Sequence, residues 1–372
     1  DHRWIVPGRS ALSVATMPSK PQLSGTLIAP GTSPTEVAMR PIRKFLILAT
    51  TAAVLIALIA PPAYARTTSA RHRAHLLASG LQGALGSTVG PDGALYVVEG
   101  VAGRISRVDP RTGETTTFAS GLPKRIGGLG GAMDVAFIHH TAYVLVTLVS
   151  PDVGGTDIDG IYRVDGPHKF TVIADIGAFS IAHPPIPPFA VKTGVQFAMQ
   201  PYKGAFLVTD GHHNRVLRVS LDGDISEART FGDIVPTGLA LRGQTVYMAE
   251  AGPVPHLPEN GKIVAFTKRS HTVRVVASGA PLLVDVEFGR GGTMYALSQG
   301  IFTPGNEAGS PANPNTGALE RVNRSGTMTP IATHLNQPTS VEIIGHTAYV
   351  VTLAGEIWTI PLVRHGDDDA HE

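Results

Sequence analysis

The chain contains no cysteine. That removes disulfides, thiolate metal sites and a cysteine nucleophile in one step. The absence is compatible with export, because a chain of this size buries enough core without covalent staples. Helical periodicity is nearly missing after residue 66. There is no Gly-x-Ser-x-Gly elbow, no P-loop, no dinucleotide fingerprint and no His-Glu-x-x-His helix. Charge is scarce as well: charged residues make up 16% and the formal net charge is +1. No basic stripe marks a nucleic-acid partner, and none is expected. What the chain has in quantity is glycine (42) and proline (29), as many short strands joined by many turns require.

One phrase recurs with variations. It is Gly90-Pro91-Asp92-Gly93-Ala94-Leu95-Tyr96-Val97-Val98-Glu99, a tight turn followed by an aromatic-centred strand. The aromatic returns as Tyr143, Phe206, Tyr247, Tyr295 and Tyr349, each inside an apolar run. The spacing is close to the ~40–50 residues of a four-stranded propeller blade. The pattern predicts an all-β, six-bladed β-propeller with four antiparallel strands per blade. The last unit, Thr339 to Leu362, shows three strands and no fourth. Residues 74–81 read like a detached fourth strand, so an N-terminal strand is expected to complete the last blade and close the ring.

The two ends read differently from the repeats. Met39-Arg40-Pro41-Ile42-Arg43-Lys44, an apolar run from Phe45 to Ala60, and Ala63-Tyr64-Ala65 have the form of a secretory signal peptide. The apolar run is shorter than a membrane span needs. Residues 39–65 are therefore expected to be cleaved after Ala65, giving a secreted mature chain without a membrane span. Met39 is expected to be the true start, with 1–38 an upstream extension. Residues 363–372 read as a disordered acidic tail.

Long insertions at 123–132, 147–159, 178–193, 251–260 and 299–316 all fall in connections that a propeller places on one face. Enlarged loops on one face are where a scaffold carries its function. Aligning the first strands puts Thr88, Asp134, Gly194, Gly238, Asp285 and Ser340 in one column at the channel mouth. Second-strand ends add Glu99, Glu250 and, one residue further along, Asp210. Converging oxygens suit a hard cation, so Glu99, Asp134, Asp210, Glu250 and Asp285 are candidate metal ligands and calcium is the candidate cofactor. The same acids also suit turn capping and backbone anchoring. His212, His213 and Asn214, in a short loop on the same face, are candidate ligand-binding residues. Phe189, at the end of the Pro-rich stretch 181–189, is another, placed to roof the channel.

These blade motifs, together with Asp134-Val135-Ala136-Phe137, Pro236-Thr237-Gly238-Leu239-Ala240-Leu241 and Tyr247-Met248-Ala249-Glu250, resemble the exported propeller family called ScyD/ScyE. The resemblance spans about residues 74–362 and implies a secreted six-bladed propeller. More loosely, the strand pattern is similar to lactonase propellers of the SMP-30/gluconolactonase type, which hold a channel metal with Glu, Asn and Asp. Here Thr237-Gly238 stands where that group often has Asn-Gly. The leading expectation is a monomeric, non-catalytic binding or scaffold protein that takes a small molecule or protein at its loop-decorated face. The alternative is a metal-dependent lactonase or hydrolase; a third possibility is a purely structural envelope protein.

Overall fold

The computed structural model describes residues 73–362, apart from 269, 271 and 308. The expected upstream extension, signal peptide and acidic tail lie outside the described residues.

A short strand, β1 (His75–Ala78), precedes five four-stranded sheets taken in chain order. The first is β2 (Ala84–Val89), β3 (Leu95–Glu99), β4 (Arg104–Val108) and β5 (Thr115–Ser120). The second is β6 (Gly131–Ile138), β7 (Thr141–Thr147), β8 (Gly160–Gly166) and β9 (Lys169–Asp175). The third is β10 (Gln196–Tyr202), β11 (Ala205–Asp210), β12 (Arg215–Ser220) and β13 (Ile225–Thr230). The fourth is β14 (Pro236–Arg242), β15 (Thr245–Glu250), β16 (Lys262–Phe266) and β17 (Arg274–Ser278). The fifth is β18 (Leu283–Phe288), β19 (Met294–Ser298), β20 (Gly317–Val322) and β21 (Met328–Leu335). The sixth has the order β1-β24-β23-β22, with β22 (Pro338–Ile344), β23 (Thr347–Thr352) and β24 (Ile357–Pro361). All pairings within the sheets are antiparallel, and inner strands neighbour one another from β2 through β6, β10, β14, β18 and β22 back to β2. The molecule is a six-bladed β-propeller, as the repeats predict.

Local chemistry explains the repeat. In the first blade Asp92 accepts the Ala94 amide (3.2 Å), which fixes the turn, and also the Tyr96 hydroxyl (3.3 Å) and Arg107 Nε (2.7 Å). The Tyr96 ring then packs edge-on against Phe118 (5.0 Å) and against Phe137 of the next blade (4.8 Å). Second strands lie between inner and third strands and are buried along their length, as in β3, β11 and β19. The core is thus a set of clusters between neighbouring blades, such as Val98 and Ile105 with Met133, Val144 and Val146. Burying each such side chain contributes about 1.5–3 kcal/mol.

Among the described residues one α-helix and three short 3-10 turns depart from the all-strand reading. Residues Ile176–Ala182 form α1, whose N-cap Asp175 accepts the Ala178 amide at 2.7 Å. No helix among the described residues is long and apolar enough to cross a membrane.

Candidate functional site

The inner strands surround a cavity of about 700 Å³. Near its start each inner strand lies opposite the end of its second strand: Ala84 faces Glu99, Ala132 faces Val146 just after Gly131 faces Thr147, Gln196 faces Asp210, and Pro236 faces Glu250. Leu283 faces Ser298 and Pro338 faces Thr352 in the same way. A register shift follows every one of these pairs. Two residues further on stand Gly86, Asp134, Ala198, Gly238, Asp285 and Ser340, and all six line the cavity. Thr88 and Gly194, expected in this column, do not belong to it. Thr88 lies two residues deeper along β2. Gly194 precedes β10, and its backbone sits against the Asp210 carboxylate. The irregularity between Gln196 and Met199 is what defeats counting along the strand. Counted from Asp210, Leu207 also takes the tyrosine slot of the third blade, while Phe206 packs on Tyr143 at 5.0 Å.

Asp134 and Asp285 each span three blades. Asp134 accepts the amides of Val135 (2.8 Å) and of Met199 in the next blade (2.7 Å). A Cβ on Gly86 of the preceding blade would lie 2.2 Å from Asp134 Oδ1 and 2.8 Å from its Cα. Asp285 accepts the amides of Val286 (2.9 Å) and Val341 (2.9 Å) and the Ser340 hydroxyl (3.3 Å). A Cβ on Gly238 would lie 2.3 Å from Asp285 Oδ1. Burial pushes Asp134 up to about 8 and Asp285 up to about 7, against the lowering effect of these bonds.

Two further carboxyls lie on the cavity wall two residues deeper, Glu287 on β18 and Glu342 on β22. Burial raises Glu287 to about 7, and the Asp285 charge adds to it. Glu342 is raised well above the ordinary range by burial, then by Glu287, Asp285 and Asp134. Neither glutamate is among the residues expected from the sequence, although strand alternation from Asp285 and Ser340 carries the signal in Asp285-Val286-Glu287 and Ser340-Val341-Glu342.

The five expected metal ligands are not brought together: Asp134 and Asp285 line the cavity, whereas Glu99, Asp210 and Glu250 lie one strand further out. Glu99 takes Arg104 Nε and Nη2, both at 2.8 Å, and the Gln82 amide at 2.6 Å. Asp210 accepts the amides of Val195 (3.0 Å) and His213 (3.2 Å) and faces Arg215 Nε at 3.3 Å. Burial opposes its ionisation, but His213 and Arg215 outweigh that and hold its pKa below the ordinary value. Glu250 pairs across the strands with Lys262; burial lifts it to about 7. Among the described residues no group of three or more His, Asp or Glu is placed to hold a metal ion. Thr237, in the Asn position of the lactonase pattern, donates to the carbonyls of Ala249 (3.1 Å) and Leu283 (2.9 Å). This donor set does not fit a resident channel cation.

The mouth is built by the insertions. Leu129, Phe189, Val254, His256 and Ser310 line it, each from a different stretch of loop or from its neighbour. Phe189 lies 4.9 Å from the His212 ring, and Nε2 of His212 accepts the Val191 amide at 3.3 Å. Burial, then His213, holds the His212 pKa below its ordinary value. His213 does not line the cavity; it is buried between Asp210 (3.1 Å) and the Val191 carbonyl (3.0 Å). Asn214 lines the cavity, yet its Oδ1 is taken by the amides of Ile234 (3.0 Å) and Val235 (2.8 Å). The buried Arg215 ties this corner together through the Ser180 hydroxyl (2.9 Å), the His183 carbonyl (2.8 Å) and Glu227 (2.7 Å). The Pro-rich segment is thus anchored at its base, and it delivers Phe189 to the mouth.

No protein-family model matches the chain, and no curated protein sequence matches it. Solved structures do. A gluconolactonase from Xanthomonas campestris is 14% identical with a TM-score of 0.55, over 78% of this chain and 90% of that one. A PQQ-bound aldose sugar dehydrogenase from Streptomyces coelicolor is 16% identical with a TM-score of 0.51, over 78% and 98%. A virginiamycin B lyase from Staphylococcus aureus, solved as an inactive variant with quinupristin, is 14% identical with a TM-score of 0.50, over 78% and 100%. At these identities the likeness establishes the propeller fold alone.

Proposed function

We propose that this is an exported, non-catalytic binding propeller of the ScyD/ScyE type that holds a small organic ligand in its channel. The observation that carries the reading is the 700 Å³ cavity, whose mouth is assembled from the long insertions. Its volume falls within the range of small-molecule pockets, and its wall is largely apolar with a few polar groups. Most polar side chains near it already serve the fold: Asp134 and Asp285 staple blades, and Asn214 and Thr237 hold backbone. Export rests on the pattern of residues 39–65 and is checked by N-terminal sequencing of protein recovered outside the cell. Binding is tested by calorimetry of the full chain against a library of small organic molecules, beside Ala198→Phe, which fills the cavity. Hits that bind the parent and fail with Ala198→Phe support the reading; an empty screen overturns it.

Lactone hydrolysis is the second reading. One observation favours it: Asp134, Asp285 and Glu287 titrate near neutral pH, the range suited to general acid–base chemistry. A gluconolactone hydrolysis assay with and without calcium, on the parent, Asp134→Asn and Asp285→Asn, decides between the two. Turnover lost in both variants would establish the enzyme.

A further inference from the structure

The cavity has an unusual charge balance. Among the described residues five carboxylic acids line it, Asp134, Asp233, Asp285, Glu287 and Glu342, and no lysine or arginine does. The basic side chains near it are His212 and His256, both of which burial biases toward the neutral imidazole. Charges in a protein interior are ordinarily paired, and here the described residues that line the cavity include no lysine or arginine as a partner.

Glu342 sharpens the point. It keeps partial exposure as part of the cavity wall, while its carboxyl lies deep in the protein. Unlike Asp134 and Asp285, it makes no hydrogen bond with any described residue; its interactions are repulsions from Glu287, Asp285 and Asp134. It is a half-buried carboxyl on the cavity wall, with no hydrogen-bond partner among the described residues. Much of the remaining wall is apolar and soft, with Leu85, Met133, Phe197, Met199 and Leu353 beside hydroxyl and amide side chains such as Thr88 and Gln200, and Phe189 stands at the mouth. A bare metal ion is a poor match, because these acids are not grouped to coordinate one.

We infer that the channel binds an organic ammonium ion with an apolar body, its cationic nitrogen meeting Glu342 and Glu287 and its hydrocarbon part against the Met199 and Phe197 wall. This deepens the binding reading and rests on it. The ammonium supplies the missing counter-charge, and aromatic faces at the mouth favour its passage.

The test is calorimetry of the full chain at pH 8 and low salt with four probes: 2-phenylethylammonium, 2-phenylethanol, phenylacetate and calcium. The ammonium should bind roughly tenfold or more tightly than the alcohol, and the carboxylate not at all. Glu342→Gln and Glu287→Gln should each weaken the ammonium by about tenfold while leaving the alcohol unchanged. Two near-isosteric variants are used so that a folding defect in one leaves the other informative. If alcohol or carboxylate binds as well as the ammonium, the charge inference falls and the binding-site reading stands. If calcium alone binds and both variants abolish it, a metal is the ligand and the inference falls. If no probe binds, this inference falls, and the library screen decides whether the binding reading falls with it.

Discussion

Blades 1–3 and blades 4–6 solve one problem in the same way and then diverge. In each half a glycine makes room for an aspartate of the next blade, which captures an amide of the blade after that. The first set is Gly86, Asp134 and Met199; the second is Gly238, Asp285 and Val341. Two residues deeper the halves part company. The first has Thr88, Ala136 and Gln200, whereas the second has Glu287 and Glu342 on its last two inner strands. An acid present in both halves and fully hydrogen-bonded belongs to the scaffold. Glu287 and Glu342, present in one half, make no cross-blade hydrogen bond among the described residues, and they are the acids that the proposed ammonium would meet.

The comparison can be broken most severely at the glycines. Gly86→Ala and Gly238→Ala would each drive a methyl group into an aspartate side chain and its backbone. We expect each to destabilise the protein by about 3 kcal/mol or more, read by urea unfolding. Similar losses in the two would confirm that the halves are equivalent; a mild loss in one would end that equivalence.

Removing the staple itself comes next. Asp134→Ala leaves the buried Met199 amide without its acceptor and should cost about 1–3 kcal/mol by the same measurement. Asp285→Ala strands the Val341 amide similarly, while the Ser340 hydroxyl keeps its contact with Ser87 at 2.9 Å.

The glutamates give an effect of opposite sign. A carboxyl raised on folding binds its proton more tightly in the native state than in the unfolded chain. Its contribution to stability is therefore greatest at low pH and is lost as pH rises from the ordinary carboxyl range toward its native value. Asp134, Asp285, Glu287 and Glu342 all line the cavity and all shift this way, so thermal stability should fall between about pH 5 and pH 8. Glu342→Gln should flatten that slope and raise the melting temperature at pH 8, by about 1–3 kcal/mol of stability. An unchanged slope would show that Glu342 is not a driver of it.

The smallest effect on stability is expected at the mouth. Phe189 is 36% exposed, and Phe189→Ala should change unfolding by less than about 1 kcal/mol while weakening whatever ligand occupies the channel.

How far the sequence could be read follows from these particulars. Tyr96 and its counterparts announce their strands because a turn, an apolar run and a recurring aromatic all agree locally. The column at the mouth was legible at Asp134, Gly238, Asp285 and Ser340 and illegible at Gly86 and Ala198. Every inner strand carries a register shift, and a one-residue slip moves a side chain to the other face. Glu99 and Asp210 look like ligands until the arginine five residues later is noticed. Arg104 and Arg215 return on the adjacent strand, directly opposite. Nothing local distinguishes α1, whose seven residues are fixed by the Asp175 cap and by Arg215 reaching Ser180 from another blade.

The sixth sheet joins β1 to β24, strands separated by nearly the whole described chain. A ribosome makes β1 well before it makes its partner β24. Until β24 emerges, β1 has no edge to join, and the last blade cannot form. That long-range pairing closes the greatest loop in the propeller, so maturation of the ring is expected to wait on the synthesis of β24.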